Sequence, residues 1–245
     1  MTRRRWIADE VKGSTAALVG EHAAHLARVL RAQIGQEFDI AAGEEVRRGT
    51  ITFVSYDRVE FALDEKPHRP RRSNPSAAPK ITLVLAIFKF DRMEWAIEKC
   101  TEIGVTRIIP VIARRSDAHL AFAAVKRHER WQRIVRQASE QSRRAAPPEM
   151  AAPVKLKDLA GDMISAESAA RVVLAESEDD ASLGDVLPPF STEVALAIGT
   201  EGGWADEELA WFRETGWAAA SLGNTILRAE TAAIVAIALA MEALR

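Results

Sequence analysis

The chain has 245 residues, 48% hydrophobic and 28% charged, with a net charge of −2. That suffices for one large domain or two smaller ones with ample core, and the charges are too mixed in sign for a disordered chain. A single cysteine, Cys100, excludes a disulfide framework or a cysteine-rich zinc site and fits a reducing cytoplasm. The N-terminal MTRRRWIADE has no apolar signal-peptide core, and the longest apolar run, Ala232–Met241, is too short to cross a bilayer, so a cytoplasmic protein with no membrane partner is expected.

The small net charge conceals an uneven distribution. Residues 1–72 carry 13 basic and 11 acidic side chains, residues 73–157 carry 16 and 8, and residues 158–245 carry 4 and 16, so the net charge runs from +2 through +8 to −12. A basic middle segment is the natural footprint for a nucleic acid.

In chain order, residues 1–66 read as a β-rich unit with one helix. Leu26, Val29 and Leu30 recur at helical spacing within Glu21–Arg31, and Gly35 stops that segment. Glu37–Ala41, Gly49–Val54 and Val59–Leu63 read as strands, with turns at Gly43 and Ser55–Arg58. Such close spacing predicts a small barrel. His22 and His25 lie three apart on one helix face, but no third ligand is near in sequence, so a surface or RNA-facing position is expected rather than a metal site. Residues 67–79 hold four prolines and three arginines and read as a linker, which divides the chain into units of 1–70 and 80–245.

Ile81–Ile87 is an apolar strand, Lys89 opens a helix through Ile103, Gly104 caps it, and Val105–Ile112 is the next strand. This βαβ unit predicts an α/β domain with a mostly parallel sheet. Glu98, Lys99 and Glu102 fit surface ion pairs at helical spacing, whereas Lys89, at a strand end, is expected to face RNA. Lys126–Arg144 predicts a helix with an apolar stripe of Trp131, Ile134 and Val135 or Ala138. Arg130, Arg133 and Arg136 form a basic ridge on it, and guanidinium forks suit phosphate. Residues 145–168, alanine- and proline-rich and then a mixed helix, carry no visible chemistry. Arg171–Ala175 reads as a strand, and Glu176, Glu178, Asp179 and Asp180 after it as a solvated loop rather than a metal cluster.

Val194–Ile198 reads as a buried strand that breaks at Gly199-Thr200-Glu201-Gly202-Gly203. The chain restarts as a helix with Asp206, Glu207 and Glu208 in its first turn, where carboxylates face the positive end of the helix dipole. Ala218–Leu222 ends in a second loop, Gly223-Asn224-Thr225-Ile226-Leu227-Arg228, followed by an almost uncharged helix, Ala229–Ala240. Two ligand-type loops after consecutive strands are where open α/β sheets bind small molecules. Neither a dinucleotide fingerprint nor a P-loop is present, and no lysine or arginine lies between Arg171 and Arg213 to fix a phosphate. A neutral or cationic ligand gripped by main-chain groups suits the first loop better.

The joint pattern IGTEGG and LGNTILRAETA resembles the signature of the RsmE-type 16S rRNA uridine N3-methyltransferases, of the SPOUT class of knotted methyltransferases. HLARVLR followed by G-x-x-F, then K-x-x-x-M-E-x-x-I-x-K-x-x-E-x-G-V, Arg115-Ser116 and Glu140-Gln141-Ser142-x-Arg144 before Pro148 extend the resemblance over most of the chain. Thr200 departs from it, standing where the family has proline. The resemblance implies an N-terminal PUA-like RNA-binding β-barrel and a C-terminal SPOUT domain, α/β with a trefoil-knotted, mostly parallel sheet. It implies S-adenosylmethionine bound by Leu174, Ala175, Ile198, Gly199, Gly202, Gly203, Leu222, Gly223, Ile226 and Leu227, and no metal. RNA-facing positions are Arg28, Arg31, Arg115, Ser116, Gln141, Ser142 and Arg144, with Arg130 and Arg133 beside them. The partners implied are 16S rRNA in the small subunit or its late precursor, and a second copy of the chain through the 229–241 helix.

Uracil N3 is mostly protonated at neutral pH and attacks poorly until that proton leaves. Arg228 or Arg144 could stabilise the resulting anion and Glu201 or Glu230 could take the proton; Glu230 could instead buttress an arginine. N3 lies on the Watson–Crick edge, so the target base must be unpaired or extruded. The competing readings are a ribose 2′-O knotted methyltransferase, whose signature motifs are absent, and an RNA-binding assembly factor without catalysis.

Overall fold

Two sheets organise the chain, one of six strands and one of seven. They fall in separate units, Met1–Ser73 with Arg136–Pro147, and Asn74–Val135 with Pro148–Arg245. The structure, a computed structural model, describes residues 5–43, 45–67, 79–159, 170–178, 181–188 and 191–244. The body of the expected linker, Asp179, Asp180 and the later part of the expected 145–168 helix lie outside the described residues.

In the first unit, β1 (Trp6–Ile7), β2 (Glu10–Lys12) and β3 (Thr15–Val19) precede α1 (Glu21–Ala24), and β4 (Glu37–Ala42), β5 (Glu45–Val54) and β6 (Arg58–Leu63) follow it. The sheet order is β1-β4-β5-β6-β3-β2, antiparallel except for β1 beside β4. Trp6, Leu18, Leu26, Ile40, Ile51 and Phe61 fill its core. The single helix expected at 21–31 is instead one α-turn that widens into a π-helix, His25–Val29, where Leu30 N–H donates to the His25 carbonyl at 3.2 Å. Arg31 then takes a positive φ of 50°, which ends the helix.

The second unit runs β7 (Lys80–Ala86), α2 (Phe90–Ile103), β8 (Arg107–Ile112), α3 (Ala118–Gln141), β9 (Glu149–Met150), β10 (Val154–Lys155), β11 (Ala170–Leu174), α4 (Leu183–Val186), β12 (Glu193–Ile198), α5 (Asp206–Glu214), β13 (Ala218–Ala220) and α6 (Ala229–Ala243). Every strand pair is parallel, in the order β10-β8-β7-β12-β11-β13 with β9 also beside β8. The two-residue strand period decides which face each side chain joins. Ile81, Leu83 and Leu85 pack with Met93 and Ile97 of α2 and Ala233 and Ile237 of α6; Val84, Ala86, Ala195 and Ala197 pack with Trp204, Phe212 and Trp217 on the other face.

Helix α3 starts eight residues before the expected Lys126. The Asp117 carboxylate accepts from the His119 and Leu120 N–H groups at 2.8 and 3.2 Å and supplies the N-terminal cap. Its last residues and the turn after it, Arg136–Pro147, pack with the first unit rather than with the 80–245 segment that contains them in sequence.

Candidate active site

The second unit's cleft lies at the carboxyl ends of β11, β12 and β13. Register sets it up: β11 is bracketed, with Val173 opposite Ala197 of β12 and Leu174 opposite Ala220 of β13, so the three following loops rise together. Ala175 N–H donates to the Ala220 carbonyl, and Ser221 exchanges main-chain bonds with Ala181 and Leu183, tying two of these loops. About 180 Å³ of free volume is enclosed.

Nine of the ten residues expected around a small ligand line this cleft: Leu174, Ala175, Ile198, Gly199, Gly203, Leu222, Gly223, Ile226 and Leu227. Gly202 does not. A Cβ there would meet only the Arg115 Cδ, at 3.6 Å, and the Thr200 Oγ1, at 3.9 Å, whereas a Cβ on Gly199 would come within 3.0 Å of the Gly203 carbonyl carbon and 3.3 Å of Trp204 Nε1. Gly203 has a φ of 70°, a left-handed conformation that glycine adopts freely. Gly199 is therefore held by lack of space and Gly203 by its backbone conformation. Thr200 braces the loop: its hydroxyl donates to the Gly203 carbonyl and accepts from the Gly202 N–H.

The wall also contains Glu176 and Glu178, read from sequence as solvated acids. Glu176 is exposed, as that reading has it, and both acids line the cleft because β11 lies between the two ligand-loop strands, so the turn after it opens over the cleft. Among the described residues the lining includes no lysine, arginine or histidine and carries two carboxylates, which favour a ligand with positive charge. The polar side chains of Ser221, Asn224 and Thr225 complete the rim and were not singled out in sequence, since a loop's own polar residues carry no periodic signal.

The residues expected to act chemically are placed less uniformly. Glu201 is exposed between the lining residues Thr200 and Gly203, and Arg228 is exposed at the start of α6. Glu230 is 5% exposed and lies 3.7 Å from Arg92 of α2, so the arginine it supports is one the sequence did not suggest. Arg115 and Ser116 occupy the turn after β8, where Ser116 Oγ accepts from the Ala113 N–H and the Arg115 guanidinium donates to the Gly202 carbonyl.

The expected arginine ridge does not form as a unit. Arg130 donates through Nε to both oxygens of Glu94 at 2.8 and 2.9 Å, and Arg133 is exposed. Arg136 belongs to the first unit, where it bonds Asp9 at 2.6 Å and the Ile7 carbonyl at 2.6 Å and lies 3.6 Å from the fully buried Glu140. Its partners come from strand β1 and the turn after it, far off in sequence. In the same unit Gln141 is exposed, Ser142 Oγ donates to the Ala138 carbonyl at 2.7 Å, and burial lowers the Arg144 guanidinium to about 10, still charged at neutral pH. Arg28 and Arg31 are exposed, with Arg28 over the Tyr56 ring at 5.7 Å. His22 lies 3.7 Å from Asp9 and His25 packs beside Trp6. Lys99 pairs with Glu98 and Glu102 as expected. Among the described residues no three His, Cys, Asp or Glu side chains cluster as a metal site, and no helix is long and apolar enough to cross a membrane.

A parallel α/β sheet with a cleft of mixed polar and apolar lining at its strand ends defines a small-ligand-binding α/β protein. Comparison with known proteins narrows that class. Residues 75–241 match the model of the RNA methyltransferase domain. Over 235 residues the chain is 31% identical to ribosomal RNA small subunit methyltransferase E of Synechocystis sp., covering 94% of this chain and 74% of that one. It is 34% identical over 230 residues to the protein of the same name from Mycobacterium tuberculosis, covering 92% and 85%. The crystal structure of a ribosomal RNA small subunit methyltransferase E from Neisseria gonorrhoeae bound to S-adenosyl methionine superposes with a TM-score of 0.83 at 29% identity, covering 97% of this chain and 96% of that one. The chain belongs to the ribosomal RNA small subunit methyltransferase E family of RNA methyltransferases.

Proposed function

We propose that this protein is an S-adenosylmethionine-dependent methyltransferase that modifies N3 of a uridine in the 16S rRNA of the small ribosomal subunit. The observation that carries the reading is the cleft over β11, β12 and β13, whose lining holds carboxylates and, among the described residues, no cation, in a chain of this family. The fit of the donor rests on residues present. Leu222, Ile226 and Leu227 offer apolar surface to a flat base, main-chain groups of the 199–203 and 220–227 loops can read its edge, and Glu176 and Glu178 favour a positively charged ligand. Gly199 leaves no room for a side chain of its own, which keeps that part of the loop close-packed. When bound, the donor supplies a methyl group activated by its sulfonium.

The protein's task is then to hold a uracil with N3 in line and to move its proton. Glu201, exposed between two cleft-lining residues, is the better of the two carboxylates for accepting that proton. Glu230 is assigned a supporting role against Arg92. Arg228 and Arg144 are the cations assigned to the anion that develops on the uracil carbonyl oxygens. The finer family features belong to the same proposal: a trefoil knot through the 199–228 segment, a PUA-like first unit with Arg28 and Arg31 toward RNA, a homodimer through α6, and a cytoplasmic site of action on the subunit or its late precursor. Domains of 1–70 and 80–245 are proposed with them, residues 136–147 being shared with the first unit.

The test uses the full chain, labelled S-adenosylmethionine and small ribosomal subunits from cells lacking the gene. Nucleoside mass spectrometry should find N3-methyluridine at a single site. Methyl transfer to a ribose, or no donor binding by calorimetry, would overturn the assignment.

A further inference from the structure

Two loops of the second unit that the sequence presents as unrelated are joined by one carboxylate. Glu208 is the third residue of α5 and is only 8% exposed. One oxygen accepts from the Ala205 N–H at 2.9 Å and caps its own helix; the other accepts from the Arg114 N–H at 2.7 Å, in the loop after β8. β8 and β12 are not neighbours, since β7 runs between them. Next along the chain, Arg115 donates to the carbonyl of Gly202, inside the loop that walls the cleft. The Arg115 turn is itself held by Ser116, whose N–H donates to the Ala113 carbonyl at 3.1 Å and whose hydroxyl accepts from the Ala113 N–H at 3.2 Å. The Arg115 loop thus meets the stretch from the cleft loop into α5 at three contacts: a buried two-sided carboxylate, a guanidinium–carbonyl bond and the exposed Arg114–Glu207 pair at 3.4 Å.

We infer that Glu208 is a positioning residue that couples the two loops, so that donor and RNA binding reinforce each other. This rests on the function proposed above, with Arg115 on the RNA side. A carboxylate is the side chain this position requires, because two separate N–H groups need two acceptor oxygens. Glutamine has one acceptor oxygen, and its amide nitrogen would oppose a second N–H. Phosphate or base contacts that fix Arg115 would also fix the Gly202 carbonyl, and a donor that orders the 199–203 loop would order Arg115. Linkage then requires the two affinities to change by one common factor.

The experiment measures the dissociation constant of S-adenosylmethionine with and without small ribosomal subunits, for the wild type, Glu208→Gln, Arg115→Ala and the double variant, with thermal midpoints recorded for each. The wild type should bind the donor about fivefold or more tightly when subunits are present, at the low end of usual coupling. Both single variants should bring that ratio close to one, and the double variant should lose no more than either single. A wild-type ratio of one overturns the inference while leaving donor binding and turnover, and hence the proposed function, intact. A ratio preserved in Glu208→Gln with an unchanged midpoint also overturns it. If Glu208→Gln unfolds, Arg115→Ala alone decides, since its exposed side chain carries no core packing.

Discussion

The Thr200 hydroxyl donates to the Gly203 carbonyl at 3.2 Å and accepts from the Gly202 N–H at 3.3 Å, so one side chain staples both sides of the cleft loop. Where the family pattern has proline, a ring would restrict the same turn by fixing φ. Thr200→Val keeps the branched shape and leaves the two main-chain groups without that partner. Donor affinity should fall roughly fivefold, the size of about 1 kcal/mol for a net hydrogen bond, measured by calorimetry. Equal affinity would show that the loop needs no staple.

The two glycines flanking Glu201 and Thr200 should respond differently to alanine. Gly199→Ala places a Cβ at 3.0 Å from main-chain carbon of Gly203, so donor affinity should fall by about fivefold or more, as overpacking by one methyl costs at least 1 kcal/mol. Gly202→Ala meets only the Arg115 and Thr200 side chains, both at ordinary contact distance, and should change affinity by less than about threefold, within the ±0.5 kcal/mol typical of benign sites. Equal losses at both positions would mean that the loop closes differently around its ligand.

Arg136 compensates two carboxylates, Asp9 at 2.6 Å and the fully buried Glu140 at 3.6 Å. Arg136→Met removes the cation facing both carboxylates and should destabilise the first unit by up to about 3 kcal/mol, the cost of breaking a buried charge pair. Urea unfolding followed by Trp6 fluorescence would measure it.

The pH dependence follows from Asp9. Burial raises its pKa, but hydrogen bonds from His22, the Val19 N–H and Arg136 outweigh that, and the net shift is downward. A depressed folded pKa stabilises the protein above the ordinary carboxylate range, and that stabilisation is lost as pH falls through the lower folded value. Asp9→Asn should therefore flatten the acid limb of a stability–pH profile. An unaltered limb would assign acid unfolding to other carboxylates.

Arg144 is desolvated enough to sit at about 10, so its charge opposes folding at neutral pH and that opposition fades only as pH rises through that value. Replacing it by methionine should remove its contribution from the alkaline limb of a stability–pH profile. Turnover on small subunits should drop about a hundredfold, the scale of losing one donor to a developing anion, with donor affinity unaltered. Normal turnover would remove Arg144 from the reaction.

Local patterns carried much of this molecule. Continuous apolar runs defined the strands at 80–86 and 193–198. The acidic start of α5 and the cap at Gly104 marked helix ends, and the two glycine-bearing loops marked the cleft, because these features depend on neighbours a few residues away. The tertiary structure alone decided which loops meet. It turned Glu176 and Glu178 into cleft wall, withdrew Arg136 from an exposed ridge into a network with Asp9, and gave Glu230 Arg92 as its partner. It also packed 136–147 with the first unit. Each of these outcomes depends on strand order and on contacts across tens of residues or more, and periodicity within a segment contains no information about which distant segment will satisfy its charges.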